Sequence, residues 1–188
     1  MFEEKSIELF VDEVIKCNTS GRYLSALTVA LILPDICGNI IFPESKPRER
    51  YVKWFDKYIG DNERLALREL SPAETQLPFI DGETCFKLRC ALLHEGRDDI
   101  GNQIGIDDFV LTFGASSCLE NSSVLEWPDD ENNGKSSIRK KTQWNINTVF
   151  LCSKIINGVK AFWETNSIDG KRIPKIKVCQ IPEIFRID

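Results

Sequence analysis

Histidine is scarce in this sequence: among 188 residues there is only one, His94. The seven cysteines are widely scattered, and none forms a Cys-x-x-Cys pair. A structural zinc site needs four such ligands at short, regular spacings. The sequence therefore argues against structural zinc, and we expect neither a metal ion nor a cofactor.

The sequence also lacks segments that direct a protein into or across a membrane. The N-terminus, Met1-Phe2-Glu3-Glu4-Lys5, has no basic region followed by an apolar stretch, as a secretory signal has. The most apolar run, Leu24 to Leu33, spans ten residues, whereas a membrane-spanning helix needs about 20. We expect a cytoplasmic protein that makes no membrane contact and keeps its cysteines reduced.

An excess of basic charge is missing too. The formal net charge of -5 gives no overall attraction to nucleic acid, so contact with RNA would need a local basic patch. The run Arg139-Lys140-Lys141, close to Trp144, could bind a phosphate backbone while the indole stacks on a base. More often such a run is a solvated turn.

Several common catalytic signatures are absent as well. The sequence has no phosphate-binding glycine loop of the Walker type, no Gly-x-Ser-x-Gly elbow and no His-Glu-x-x-His helix. These absences remove most common hydrolase and nucleotide-binding classes.

What is present is enough for one compact domain, which we assign to residues 1–188. A chain of this length buries roughly 70% of its unfolded surface. Helical spacing of apolar residues predicts most of the structure, and Pro34 to Pro47 is predicted to be a long connection. The predicted helices are Glu3 to Asn18, Arg22 to Leu33, Glu49 to Ile59, Glu63 to Leu70, a segment that starts at Asp81-Gly82-Glu83 and stops before Gly96, and Asn147 to Trp163.

A β excursion is predicted at about 106–145. Asp108 to Gly114 and Ser123 to Trp127 have the β-branched and aromatic content of short strands. The tail, Pro174 to Ile187, is predicted to add an edge strand or a packed extension. The expected fold class is mainly α, a helical bundle with a small β-hairpin or sheet inserted before the last long helix.

The most informative segment is Arg89-Cys90-Ala91-Leu92-Leu93-His94. Histidine titrates near neutral pH, and arginine has a planar fork that fits phosphate. At about 100° per residue, positions five apart on an ideal helix differ by roughly 140°. Arg89 and His94 could therefore cooperate only if the arginine reaches round, the helix is distorted, or a second copy of the helix meets it across a dimer interface.

These residue types suit cleavage of a phosphodiester by the neighbouring ribose hydroxyl. A base takes the proton of the 2′ oxygen while a cation stabilises charge that develops on the phosphate. The helix C-terminus and Glu95 favour protonated His94.

The segment resembles the active-site motif of the HEPN superfamily, an arginine followed by four to six variable residues and a histidine on one helix of an all-helical bundle. The resemblance implies a metal-independent endoribonuclease with Arg89 on the scissile phosphate and His94 as acid or base. It also implies a homodimer, RNA as substrate, a role as a toxin or in phage defence or stress response, and possible binding of a protein inhibitor or antitoxin. The residue after the arginine is often polar in the family, and here it is Cys90.

Weaker candidates for substrate binding are Lys87, Glu95 and the run Arg139, Lys140 and Lys141. The competing interpretation is structural: Arg89 forms a salt bridge within the bundle and His94 ends the helix. Under that interpretation the protein is a non-catalytic interaction or regulatory module, in which the β excursion is the docking surface. Burial of both residues in one subunit, or an apolar patch on the β excursion, would favour the module.

Overall fold

The computed structural model describes residues 6–61, 80–95, 108–113, 121–128 and 138–166. The predicted helix Glu63 to Leu70, the predicted helix end at Gly96 and the predicted tail element Pro174 to Ile187 lie outside these ranges.

The described part of the chain is mainly helical, as predicted. Two helices continue directly into a π turn, a single turn of wider helix whose hydrogen bonds join residues i and i+5. The helices are α1 (Ser6–Thr19), α2 (Tyr23–Ala30), α3 (Leu33–Ile41), α4 (Pro47–Phe55) with the first π turn (Asp56–Gly60), α5 (Gly82–Cys90) with the second π turn (Ala91–Glu95), and α6 (Thr148–Thr165).

The predicted connection from Pro34 to Pro47 is wrong over most of its length, because Leu33–Ile41 is helix α3. Pro34 lies in the first turn of this helix, where a missing backbone N–H costs nothing since it would have no partner within the helix. Pro47 opens α4 in the same way. Both prolines therefore begin helices.

Helix α3 also lengthens the apolar segment beyond the ten residues expected. In the described residues, Tyr23–Ile41 is the one stretch long and apolar enough to cross a membrane by length and composition. It consists of α2 and α3, and half of its apolar window is buried inside the protein. A buried core helix of a soluble protein has the same properties, so the stretch is weak evidence for membrane insertion.

Helix α6 lies at the centre of the bundle and packs against α2, α3 and the first π turn. Its buried face follows helical spacing through Leu151, Ile155, Val159 and Phe162. Each such fully buried side chain contributes about 1.5–3 kcal/mol relative to an exposed one. The helix begins at Asn147, whose Oδ1 accepts a hydrogen bond from the backbone N–H of Phe150 at 3.1 Å.

A small sheet precedes α6, as predicted. Its strands are β1 (Asp108–Thr112), β2 (Asn121–Pro128) and β3 (Ile138–Asn147), in the order β1-β3-β2. Strand β3 is antiparallel to β2 and parallel to β1. The interpretation of Arg139-Lys140-Lys141 as a turn is wrong, because these residues lie in strand β3 and pair with Leu125 to Trp127 of β2.

The close approach of α3 and α4 gives a test of this packing. A Cβ atom at Gly38 would lie 2.7 Å from the carbonyl oxygen of Arg50, a backbone atom that cannot move without moving α4. We expect Gly38→Ala to lower the free energy of unfolding by about 1–3 kcal/mol, as overpacking does, in chemical denaturation.

Gly158→Ala is the matched control, since it is also a helical glycine. There the nearest atom is Cγ1 of the Ile59 side chain, at 2.8 Å, and a side chain can adjust more easily than a backbone. An equal or smaller loss of stability in Gly38→Ala would contradict the backbone contact.

Candidate active site

Helix α5, which carries Arg89, is fixed at its start against α4. The side chain of Asp81 accepts a hydrogen bond from the backbone N–H of Thr84 at 2.8 Å, and Gly82 donates its N–H to Asp56 Oδ1 at 2.8 Å. A Cβ at Gly82 would lie 2.8 Å from the carbonyl oxygen of Val52. Only glycine lets the two helices come this close without a shift of the backbone.

The middle of α5 buries Cys85 against Tyr51 of α4. The Tyr51 hydroxyl and the Cys85 thiol are 3.4 Å apart, and either can be the donor. Burial raises the pKa of Tyr51 well above its usual value, and Cys85 adds to this effect. Tyr51 is therefore neutral at physiological pH, and the two side chains contribute packing and a weak hydrogen bond.

Arg89 lies one turn further along α5 and points into the protein. Its side chain is only 18% exposed, and Nη2 is 3.8 Å from Oδ2 of Asp35 on α3. The guanidinium carbon lies 5.8 Å from the centroid of the Phe86 ring on the preceding turn. Arg89 therefore makes contacts within its own subunit, as the structural interpretation predicts.

Asp35 is shared between two arginines. Arg50 Nε donates to Asp35 Oδ1 at 2.8 Å, and Arg50 Nη1 donates to Asn39 Oδ1 at 2.9 Å. Arg50 is therefore held by two hydrogen bonds, whereas the distance from Arg89 to Asp35 is too long for one. One carboxylate faces two guanidinium groups, so the cluster Asp35, Arg50 and Arg89 carries one excess positive charge.

The hydrogen-bonding capacity of Arg89 is not filled. Its Nε atom is buried and has no hydrogen-bond partner among the residues that the structure describes. An unsatisfied buried donor is unfavourable by about 1–3 kcal/mol. Because Nε is fully buried, an anion can accept from it only after the Arg89 side chain turns towards solvent. Such an anion would neutralise the excess charge, and phosphate has the matching geometry.

His94 lies in the second π turn, Ala91–Glu95, which starts two residues after Arg89. In a π turn the hydrogen bond joins residues five apart, so positions five apart are separated by a smaller angle than the roughly 140° of an α-helix. The turn therefore reduces the angle between positions 89 and 94. This is the helix distortion that the sequence left as one of three ways for Arg89 and His94 to cooperate.

The other predicted site residues divide into two groups. Lys87 is half-buried on α5, and Glu95 is the last residue of the second π turn, so both share the helix of Arg89. Arg139, Lys140 and Lys141 belong to β3, a strand that packs on β1 and β2. The basic run is thus on a different element from the predicted catalytic pair.

Sequence reasoning missed Asp35, which lies beside Arg89, and the residues Arg50 and Asn39 that are hydrogen-bonded with it in one network. The signal was the spacing of Asp35 and Asn39, four residues apart and hence on one face of a helix. This shared helix face was not predicted, because Pro34 indicates a connection rather than a helix at these positions. No group of three potential metal-ligating side chains comes together in the described ranges.

Comparisons of this chain with models of protein families, with curated proteins and with solved structures found no match.

The shared carboxylate can be tested by Asp35→Asn. The substitution leaves two guanidinium groups facing a neutral amide, so we expect a loss of about 1–3 kcal/mol in the free energy of unfolding. In double-mutant cycles, Asp35 should couple more strongly to Arg50 than to Arg89, because only Arg50 makes a hydrogen bond.

The matched control is Glu49→Gln, which removes a carboxylate from the solvent-exposed pair of Glu49 and Lys53 on α4. Exposed pairs of this kind contribute little to stability. An effect of Asp35→Asn no larger than that of Glu49→Gln would contradict a structural role for the shared carboxylate.

Cys90, which follows Arg89, should be the most reactive of the cysteines in the described residues. It is half-buried, whereas Cys37, Cys85 and Cys152 are fully buried. Burial raises the pKa of Cys37 and raises that of Cys152 to about 12, so almost no thiolate forms there at neutral pH.

Brief treatment of the native protein with iodoacetamide at neutral pH, followed by peptide mass spectrometry, should show carboxamidomethylation of Cys90 before Cys37 or Cys152. Equal labelling in urea shows that all three thiols are reduced. Labelling of Cys152 ahead of Cys90 in the native protein would contradict this arrangement.

Proposed function

We propose that this protein is a metal-independent endoribonuclease of the HEPN type, with Arg89 and His94 as its catalytic residues. The observation that carries the proposal is the geometry of α5. Its π turn reduces the angle between positions 89 and 94, and the Arg89 guanidinium has a buried donor with no partner in the described part of the chain, beside an excess positive charge. The fold is proposed to be a HEPN-like bundle that forms one domain over residues 1–188.

In the proposed reaction the ribose 2′ oxygen attacks the adjacent phosphorus and loses its proton to a base. The bond from phosphorus to the 5′ oxygen breaks, and that oxygen gains a proton from an acid. The products are a 2′,3′-cyclic phosphate and a 5′-hydroxyl end. His94 serves as base or acid, and Arg89 stabilises the charge that builds up on the phosphate oxygens.

The burial of Arg89 limits where this side chain can contact a substrate. At 18% exposure it reaches a bound phosphate only where the substrate lies against α5 near Asp35. The contact with Asp35 is long, and Arg50 keeps the carboxylate hydrogen-bonded. Arg89 can therefore turn towards a phosphate without leaving Asp35 uncompensated.

The remaining parts of the proposal follow the resemblance. Two copies form a homodimer that brings two such helices into one cleft, with Lys87 and Glu95 at its edge. Arg139, Lys140 and Lys141 contact RNA elsewhere. The protein acts in the cytoplasm, as a toxin or in phage defence or another stress response, and a protein inhibitor or antitoxin is its candidate regulator.

A second candidate function, the non-catalytic interaction module, is favoured by two observations. Arg89 is largely buried in contacts within its own subunit, and Phe113, at the end of β1, is an exposed aromatic residue on the β excursion. Under this alternative Arg89 is a structural residue and RNA is not cleaved.

Cleavage of total RNA in the presence of EDTA distinguishes the two candidates. We expect the wild type to release products with cyclic phosphate ends, and His94→Ala to lower the rate about 100-fold or more, as loss of a general acid or base does. Arg89→Lys should also lower the rate, because lysine keeps the charge but not the planar fork.

Asp12→Asn serves as the control, since Asp12 pairs with Lys16 on the exposed side of α1, and it should cleave like the wild type. Circular dichroism of each variant checks the fold. Equal cleavage by wild type and His94→Ala, or none by either, would contradict the ribonuclease and favour the module.

A further inference from the structure

Tyr23 at the start of α2 contacts Phe113 after β1, and the start of α6 adjoins the end of β1; exposed apolar side chains lie on each of these elements. We define the aromatic patch as Tyr23, Leu24, Phe113 and Phe150. Leu24 is 51% exposed, Phe113 54% and Phe150 44%. A hydrogen bond from Thr148 Oγ1 to the carbonyl of Thr112, 3.2 Å long, holds the start of α6 beside the end of β1.

Within the patch, two rings are stacked. The centroids of Tyr23 and Phe113 are 5.7 Å apart and their planes differ by 21°. A stacked neighbour covers one face of the Phe113 ring, and more than half of the side chain still contacts solvent. The ring therefore offers a fixed, flat, apolar surface at the end of an existing stack.

Two cations lie on the chain segments that carry the patch. Arg22, immediately before Tyr23, is exposed. Lys154 places its Nζ 4.9 Å from the centroid of the Phe150 ring. A flat aromatic surface with a cation beside it is the combination with which proteins bind single-stranded nucleic acid: the base stacks and the phosphate pairs with the cation.

We infer that the aromatic patch binds single-stranded RNA by stacking an unpaired base on Phe113, while Arg22 contacts an adjacent phosphate. The inference rests on the proposed function and adds to it a second RNA contact, at Phe113, outside the catalytic helix. A second copy of the chain or another protein would need apolar contact but no flat ring, and that difference makes the two kinds of occupant separable.

The test uses a short, fluorescently labelled 2′-O-methyl oligonucleotide, which lacks the attacking hydroxyl and so reports binding without cleavage. Anisotropy titrations compare wild type with Phe113→Leu, which keeps apolar volume but removes the ring, and with Phe113→Trp, which keeps it. Loss of one stacked base predicts that Phe113→Leu binds about tenfold more weakly. Phe113→Trp should bind at least as tightly as the wild type.

Arg22→Gln tests the phosphate contact. We expect weaker binding and a decrease of about 0.7 in the slope of log affinity against log salt concentration, as for the loss of one contact to single-stranded nucleic acid. Melting temperatures of all variants should match the wild type, because Phe113 and Arg22 are exposed.

Three outcomes would overturn the inference: no binding by the wild type, equal affinity of wild type and Phe113→Leu, or a changed oligomeric state of Phe113→Leu in sedimentation with unchanged RNA affinity. The last would assign the patch to a second copy of the chain. Binding that depends on Phe113, together with an absence of cleavage, would uphold the patch and contradict only the ribonuclease.

Discussion

The carboxylate of Asp35 is the interaction on which the candidate site depends. It joins three helices, because Asp35 lies on α3, Arg50 on α4 and Arg89 on α5. Charges that are only a fifth to a quarter exposed are poorly screened by solvent, so this pairing fixes the relative positions of the helices more strongly than the surface pairs do. The same carboxylate lies 3.8 Å from the Arg89 side chain, close enough for charge attraction but not for a hydrogen bond.

Elements with a periodic pattern of apolar residues were predictable from the sequence. The prediction was wrong where a residue type is compatible with two different structures. The long apolar stripe of α6 and the start of α5 at Asp81-Gly82-Glu83 were predicted and are confirmed. A proline can end one helix or lie in the first turn of the next. The sequence favoured the first of these for Pro34, whereas the structure has the second. Strand β3 was not predicted because its charged residues, Arg139 to Lys141, are typical of a loop; in the structure they pair with β2, and β1 pairs only with the later residues Gln143 to Asn147.

The candidate site was only partly predictable for a related reason. Arg89 and His94 stand out by residue type. Asp35 and its partner Arg50 are 39 or more positions earlier in the chain, and Asp35 comes near Arg89 only through tertiary packing. Helical spacing of apolar residues does not reveal the π turns, since a wider turn depends on how the helix end packs. The pair was thus visible in the sequence, while its surroundings were not.

The junction between β3 and α6 has a mechanical consequence. Strand β3 ends at Asn147, which is also the cap of α6, and no loop separates the two elements. Thr148 binds the last carbonyl of β1 as well, so the sheet is attached to the central helix at two adjacent points. No linker residues between β3 and α6 are available to act as a hinge. A force applied to the middle strand would therefore be transmitted directly to the helix at the centre of the core.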